Sequence, residues 1–470
     1  MTDMHHPKTL GDLKGSGWKS RGIKAELQQN LIAKIRAGEN LFPGVIGYED
    51  TVIPELENAI LSGHDIIFLG ERGQGKTRIM RSLTNLLDEW LPVLEGCEIN
   101  DDPLAPICSH CKKQVAALGD GAPVAWLHRS LRYGEKLATP DVTIADLIGD
   151  IDPIKVAEGR HLSDEGVIHY GLIPRTNRGI FSINELPDLH EKIQVGLFNL
   201  LEERDVQIRG YKFNLPLDIF IIATANPEDY TSRGRIITPL KDRFGAQVRT
   251  HYPRTLAQEV TIMRQEMAPF SHEGLRLEIP AFMEQIVAEI SQAARRRQDI
   301  NHFSGVSVRM TIHNMETLVS NALRRCVRLG ETGVVPRVTD LPHLTSTMKG
   351  KVEWNFAEAA EEDEKLGGLV REAVHIVFKN TFEPAAFNEF LRGFTAPDEI
   401  VVSELVPASG YADILSRYPE LERHAEQLVS GADPGMRAAA CEFMLEGLAT
   451  SGRIARTTTQ GSAARYTTKQ

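Results

Sequence analysis
The first half of the chain alternates short apolar runs with stretches of helical period, and the second half is helical by period almost throughout. The apolar runs are Ile66-Ile-Phe-Leu69, Val124-Ala-Trp-Leu-His128, Gly179-Ile-Phe-Ser-Ile183 and, longest, Leu217-Asp-Ile-Phe-Ile-Ile-Ala-Thr-Ala225. Runs of this length bounded by Gly, Asn and charged residues predict strands covered on both faces, the habit of a parallel sheet between helical layers. Between them the period lengthens. Leu27, Leu31, Ile32 and Ile35 share a helical face, as do Ile53, Leu56, Ile60 and Leu61; Ile79, Leu83, Leu86, Leu87 and Trp90 predict one helix ending near Pro92. Ile193, Val195, Leu197, Leu200 and Leu201 predict another, and residues 206–213 alternate like a hairpin. Beyond Pro253 helices are predicted through 256–329, including 284–297 and 307–328, and again over roughly 370–450, where Val370, Ala373, Val374 and Val377 form a stripe. Residues 1–24 have no periodicity and predict a mobile arm, while the Thr/Ser/Gly-rich 457–470 predict a disordered tail.

Composition narrows the class. At 470 residues with 42% apolar and 25% charged positions, the chain has room for two or three ordinary globular domains. A formal net charge of -11 argues against a constitutive nucleic-acid binder, whose affinity rests on neutralising phosphates with Lys and Arg. Arg295-Arg-Arg297 is therefore read as a solvated helix face. No apolar run approaches the roughly 18 residues a membrane span needs, and a cytoplasmic location is expected. Five cysteines, an odd number, point away from a disulfide framework.

The chemistry concentrates where the strand signals end. Ile66–Leu69 runs into Gly70-Glu71-Arg72-Gly73-Gln74-Gly75-Lys76-Thr77, the phosphate-loop pattern in its strand-loop-helix setting. Glycines let backbone N–H groups curl around phosphate oxygens, Lys76 reaches the terminal phosphates and the Thr77 hydroxyl can ligate magnesium. The turn-rich segment before it, with Val45, Ile46 and Gly47, reads either as a packing segment before the first strand or as an apolar lid over an adenine ring. Glu185, after Asn184 at the end of the third run, is a candidate to orient and deprotonate the attacking water, and Asn226 at the end of the fourth can hold that water or the terminal phosphate. Arg243 in Pro239-Leu-Lys-Asp-Arg243 can stabilise charge on a transferring phosphoryl group, in cis or from a neighbouring subunit. Cys108-x-x-Cys111 has the spacing of half a zinc knuckle, with Cys97 as a third thiolate and His110 or His128 as a fourth ligand; free surface thiols are the alternative.

In this order the motifs resemble those of the AAA+ ATPases, in the branch of the magnesium chelatase I subunit and the MoxR proteins. Residues 70–77 match the Walker A loop, 180–185 the Walker B strand, Asn226 in Thr224-Ala-Asn-Pro-Glu228 the first sensor, 242–245 the arginine-finger segment and Arg309 the second sensor. Residues 171–180 resemble the segment that leads into Walker B. The resemblance implies an α/β fold, a P-loop αβα sandwich with a five-stranded parallel sheet, followed by an α-helical lid and a C-terminal helical region. It divides the chain into an arm and helix (1–40), a nucleotide-binding domain (41–253, with a Cys-containing insertion at 95–123), a lid (254–350), a C-terminal helical region (351–456) and the tail (457–470). ATP and Mg2+ are the implied cofactors, a ring, commonly a hexamer, the implied assembly, and a von Willebrand factor A domain protein the implied partner. Substrate-touching hairpins would emerge from the charged stretch 150–171. Two departures stand out: the family's Walker B aspartate is Asn184 here, an amide that brings no charge to the metal, and the cysteine insertion is foreign to the chelatase subunit. A sigma-factor-dependent activator would need a GAFTGA-type loop, which is absent.

Overall fold
The computed structural model describes residues 6–157, 165–203, 206–208, 211–213, 215–226, 235–301, 305–355, 361–383, 385–429, 431, 433–458 and 463–469. The chain divides into two compact units, Met1–His251 and Tyr252–Gln470. Strands of the first unit, in chain order, are β1 (Ile66–Leu69), β2 (Trp90–Leu94), β3 (Val124–His128), β4 (Tyr133–Leu137), β5 (Gly149–Ile151), β6 (Ile168–Tyr170), β7 (Gly179–Asn184), β8 (Val206–Ile208), β9 (Tyr211–Phe213), β10 (Ile219–Ala225) and β11 (Ala246–Arg249).

Five of these form one sheet in the order β11-β1-β10-β7-β4, every neighbouring pair parallel. The pleat sorts the apolar runs between two cores. Ile66, Phe68, Ile180, Phe220 and Ile222 face a cluster with helices Ile23–Ala37, Val52–Leu61 and Lys76–Ser82, whereas Ile67, Phe181, Ile183, Ile219 and Ile221 face one with Glu191–Glu203 and Thr238–Arg243. Burial on both faces is why these strands read as unbroken apolar runs, and a slip of one residue would exchange the two sets.

Several expectations are corrected here. Val124–His128 is not a member of the main sheet; it pairs antiparallel with Trp90–Leu94. The fifth member is Tyr-Gly-Glu-Lys-Leu of β4, an edge strand whose polar sequence gives no apolar signal. The helix after Thr77 ends at Ser82 and passes through a tighter turn, Leu83–Leu86, before the chain extends at Leu87 into β2. Leu83, Leu86 and Leu87 are buried as helical spacing requires, but Asn30 captures the Leu86 carbonyl at 2.9 Å. The arm is not loose: Leu10 and Leu13 are buried in a short helix, and Trp126 donates to the Pro7 carbonyl at 2.9 Å. In the cysteine segment, a helix begins at Ser109 and runs to Leu118, capped by the Cys108 side chain. The stretch 150–171 is bracketed by the antiparallel pair β5–β6, with residues 158–164 outside those described.

One buried ion pair ties this unit together. Arg132, 1% exposed, donates to both carboxylate oxygens of Glu26 (2.7 and 2.6 Å) and to the Arg178 carbonyl (2.9 and 2.7 Å). It joins helix Ile23–Ala37 to the turn that enters β7. Removing one partner strands a charge in a low-dielectric interior, so Arg132→Met is expected to cost about 3–5 kcal/mol in urea unfolding followed by tryptophan fluorescence. A loss below about 1 kcal/mol would mean that water reaches Glu26 and screens it.

In the second unit, helices Leu256–Glu266, Ala281–Arg296, Val308–Leu329, Glu362–Thr381 and Pro434–Thr450 share one hydrophobic cluster extending from Met263 to Tyr466. The boundary expected near residue 350 therefore separates no cores. The described part of the tail is paired: β15 (Ile454–Thr458) and β16 (Ala464–Thr468) run antiparallel, and β16 pairs with β14 (Glu399–Val402). Two short strands, β12 (Arg276–Leu277) and β13 (Gly333–Val334), pair in parallel. Arg295 is not solvated as expected. It donates to both oxygens of fully buried Glu259 (2.6 and 2.9 Å) and to the Val306 carbonyl, while Arg296 pairs with Glu289 and Arg297 with Asp299 and Glu372. No helix among the described residues is long and apolar enough to cross a membrane.

Candidate nucleotide site
Three neighbouring strands, β1, β10 and β7, end side by side, and the carboxyl ends of parallel strands are where open sheets hold ligands. After β1 the chain turns through Gly70, where a Cβ would lie 2.0 Å from Thr250 Oγ1 and 2.3 Å from Gln74 Oε1, so a side chain does not fit. Gly73 and Gly75 take left-handed φ values of 76° and 73°, which coil the loop before helix Lys76–Ser82. Lys76 is 9% exposed; its ammonium donates to the Gly70 carbonyl, to the Glu71 carbonyl at 2.8 Å and to Asn226 Oδ1 at 2.8 Å. One cation thus joins the loop to the end of β10. Glu71, Gly73 and Thr77 are half-buried and Arg72 is exposed. Tyr48, beside half-buried Val45, Ile46 and Gly47, donates to the carbonyls of Gln74 and His251, both at 2.7 Å. Burial pushes its phenol up to about 12, keeping it a donor.

The end of β7 is built differently from the expectation. Glu185 has φ 57°, a left-handed conformation unusual for a non-glycine residue, held by its N–H donating to Thr224 Oγ1 at 3.0 Å. Asn184 does not stand alone. Its Nδ2 donates to Glu135 Oε1 at 2.6 Å, and Glu135 in turn accepts from Arg81 Nε and a terminal guanidinium nitrogen at 2.9 and 3.1 Å. A carboxylate on the neighbouring strand β4 thus lies against the Asn184 amide. Sequence reasoning missed Glu135, Thr224 and Arg81; the only signal for Glu135 was the alternation of a polar edge strand. The Thr77 hydroxyl, the Asn184 amide oxygen and the Glu135 carboxylate are hard oxygen donors of the kind magnesium takes, so the donor chemistry of these residues fits that ion.

Asn226 and Lys76 are brought together. Arg243 is exposed at the end of helix Thr238–Arg243, its guanidinium 5.1 Å from the centre of the Phe198 ring. Arg309 is exposed in the second unit, in the first turn of helix Val308–Leu329. Pro227 and Glu228 lie outside the described residues. Cys97, Cys108 and Cys111 do converge, but with Asp101 and not with a histidine. His110 is exposed, and His128 is engaged by Ser130 at 2.8 Å and lies edge-on to Trp90.

A parallel sheet in this strand order, with a phosphate loop after its second strand, β1, and polar groups at the ends of the next two, is the α/β fold of the AAA+ P-loop ATPases. Curated proteins similar to this chain include magnesium-chelatase subunits. The subunit ChlI of Nostoc sp. is 27% identical over 232 residues, 48% of this chain and 58% of the relative. The 38 kDa subunit of Rhodobacter capsulatus is 25% identical over 236 residues, 47% of this chain and 59% of the relative. The chain therefore spans less than three-fifths of the length of these relatives. A solved structure of the complex between subunits BchI and BchD of magnesium chelatase matches 70% of this chain and 94% of its own at 18% identity, with a TM-score of 0.36. The fold assignment rests on the strand order and not on that likeness. No protein-family model matches the chain.

Proposed function
We propose that the chain binds ATP with magnesium at the ends of β1, β7 and β10 and hydrolyses it as a subunit of a cytoplasmic ring, a hexamer, that remodels or activates a partner protein carrying a von Willebrand factor A domain. The observation that carries this reading is the Lys76 ammonium, buried between the loop carbonyls and Asn226 Oδ1, where a terminal phosphate can replace those acceptors. Thr77, Asn184 and Glu135 would hold the magnesium, which supplies neutralising charge to the phosphates. Glu185 orients and deprotonates the water, Asn226 positions it, and Val45, Ile46 and Gly47 flank the base. Arg243 acts as the finger from the neighbouring subunit, and Arg309 acts as the second sensor. The test is ATP-dependent assembly, read by sedimentation, together with steady-state hydrolysis in magnesium; absence of both overturns the reading. A genuine magnesium-chelatase ATPase subunit is the narrower form, and failure to restore metal insertion in a chelatase assay lacking its I subunit removes it.

A second reading, a nucleotide-gated scaffold with little turnover, is favoured by the Asn184–Glu135 hydrogen bond, which fixes an uncharged amide where the family resembled carries aspartate. Asn184→Asp places two carboxylates in contact. The variant is expected to need less magnesium for half-maximal hydrolysis, by about tenfold, because like charges that repel alone are drawn together by a divalent ion. An unchanged magnesium requirement would place the ion away from this pair.

A further inference from the structure
The cysteine insertion carries a site that nucleotide hydrolysis does not use. Cys97, Asp101, Cys108 and Cys111 each offer one ligand atom, and all four atoms lie within 4.8 Å of one another. A tetrahedral zinc ion with Zn–S of about 2.3 Å and Zn–O of about 2.0 Å separates its ligands by roughly 3.5–3.8 Å, so the four groups need only small inward shifts. Two further observations point to a ligand. Asp101 is 0% exposed; its Oδ2 accepts from the N–H groups of Ile107 (3.1 Å) and Cys108 (2.9 Å), but Oδ1 is buried with no hydrogen-bond partner. The sulfurs, in turn, are approached by backbone donors: Ile99 and Asp101 N–H to Cys97 Sγ at 3.4 and 3.3 Å, and Cys111 N–H to Cys108 Sγ at 3.3 Å. Such donors stabilise thiolates and orient them, which is what the surroundings of a metal ligand do.

We propose that these four residues bind one structural zinc ion, with Asp101 completing three thiolates. The donor set selects the ion: soft thiolates disfavour magnesium and calcium, and iron–sulfur clusters take four sulfur or imidazole ligands where this site has three sulfurs and a carboxylate. The site is closed, with four protein ligands and three of them buried, so its role is structural and not catalytic. Binding displaces the thiol protons to solvent and changes no oxidation state. It would lock the insertion to the segment that leads into β7, which the loop already touches through Asn100 Nδ2 to the Arg175 carbonyl (2.8 Å) and Asn177 Nδ2 to the Ile99 carbonyl (3.0 Å).

The experiment measures metal in the full-length protein purified without added zinc, by elemental mass spectrometry, with alkylation of cysteines before and after a strong chelator. About one zinc per chain is expected, with Cys97, Cys108 and Cys111 protected until the chelator is added. Asp101→Ala should raise the zinc dissociation constant at least about tenfold and Asp101→Cys should not, a contrast that holds the fold constant while changing the fourth ligand. Native protein that neither contains zinc nor takes up one equivalent on titration overturns the proposal. So does a disulfide that peptide mapping places between two of Cys97, Cys108 and Cys111. Neither outcome bears on ATP binding, which is measured separately.

Discussion
Arg243→Ala is expected to lower ATP turnover by about 10³-fold or more while leaving ATP affinity within a few-fold of wild type. The guanidinium is exposed at the end of a short helix, 5.1 Å from the centre of the Phe198 ring. In the proposed ring this arginine serves a phosphate bound by a neighbouring subunit, and the variants test that expectation. The mixing experiment separates the two possibilities. Arg243→Ala subunits keep Glu185, and Glu185→Gln subunits keep Arg243. In an equal mixture about one boundary in four pairs an intact base with an intact finger, and activity returns to about that fraction of wild type. If the mixture stays as inactive as its parts, Arg243 acts within its own subunit or not at all.

Glu185→Gln is expected to reduce hydrolysis by about 10²–10⁴-fold with little effect on nucleotide binding. The exchange keeps the side-chain shape and the left-handed backbone, whose N–H bond to Thr224 Oγ1 involves no carboxylate atom. A change in rate therefore reports the lost base and not a collapsed turn. Measured side by side, kcat should fall and the dissociation constant of a fluorescent ATP analogue should hold. Retention of turnover within about tenfold would remove Glu185 as the base and turn attention to the Glu135–Asn184–Arg81 group one strand away, where a second carboxylate stands ready.

Both expectations depend on residues that could be picked out before any fold was known, and that is not true of their surroundings. The apolar runs of β1, β7 and β10 and the glycine loop between Gly70 and Thr77 are local patterns: burial on both faces leaves an unbroken run, and a loop around phosphate needs its glycines close together in the chain. Hence the class of fold, the positions of Lys76, Glu185 and Asn226, and the pairing of Cys108 with Cys111 were legible from the residues alone. The rest is decided at long range. Glu135 meets Asn184 across 49 positions and Arg132 meets Glu26 across 106, and no periodicity encodes such a meeting. Edge strand β4 was hidden because pairing on a single side lets polar residues stand in it. Asp101 looked like one acidic residue among several until the turn from β2 aimed its buried oxygen at three sulfurs. The tail gave only composition, and composition cannot foresee that Glu399–Val402 offers its edge to Ala464–Thr468. Local sequence determines which elements form and what chemistry they end in; which of them become neighbours is settled by the shared core, where each side chain's environment is made by residues far away in the chain.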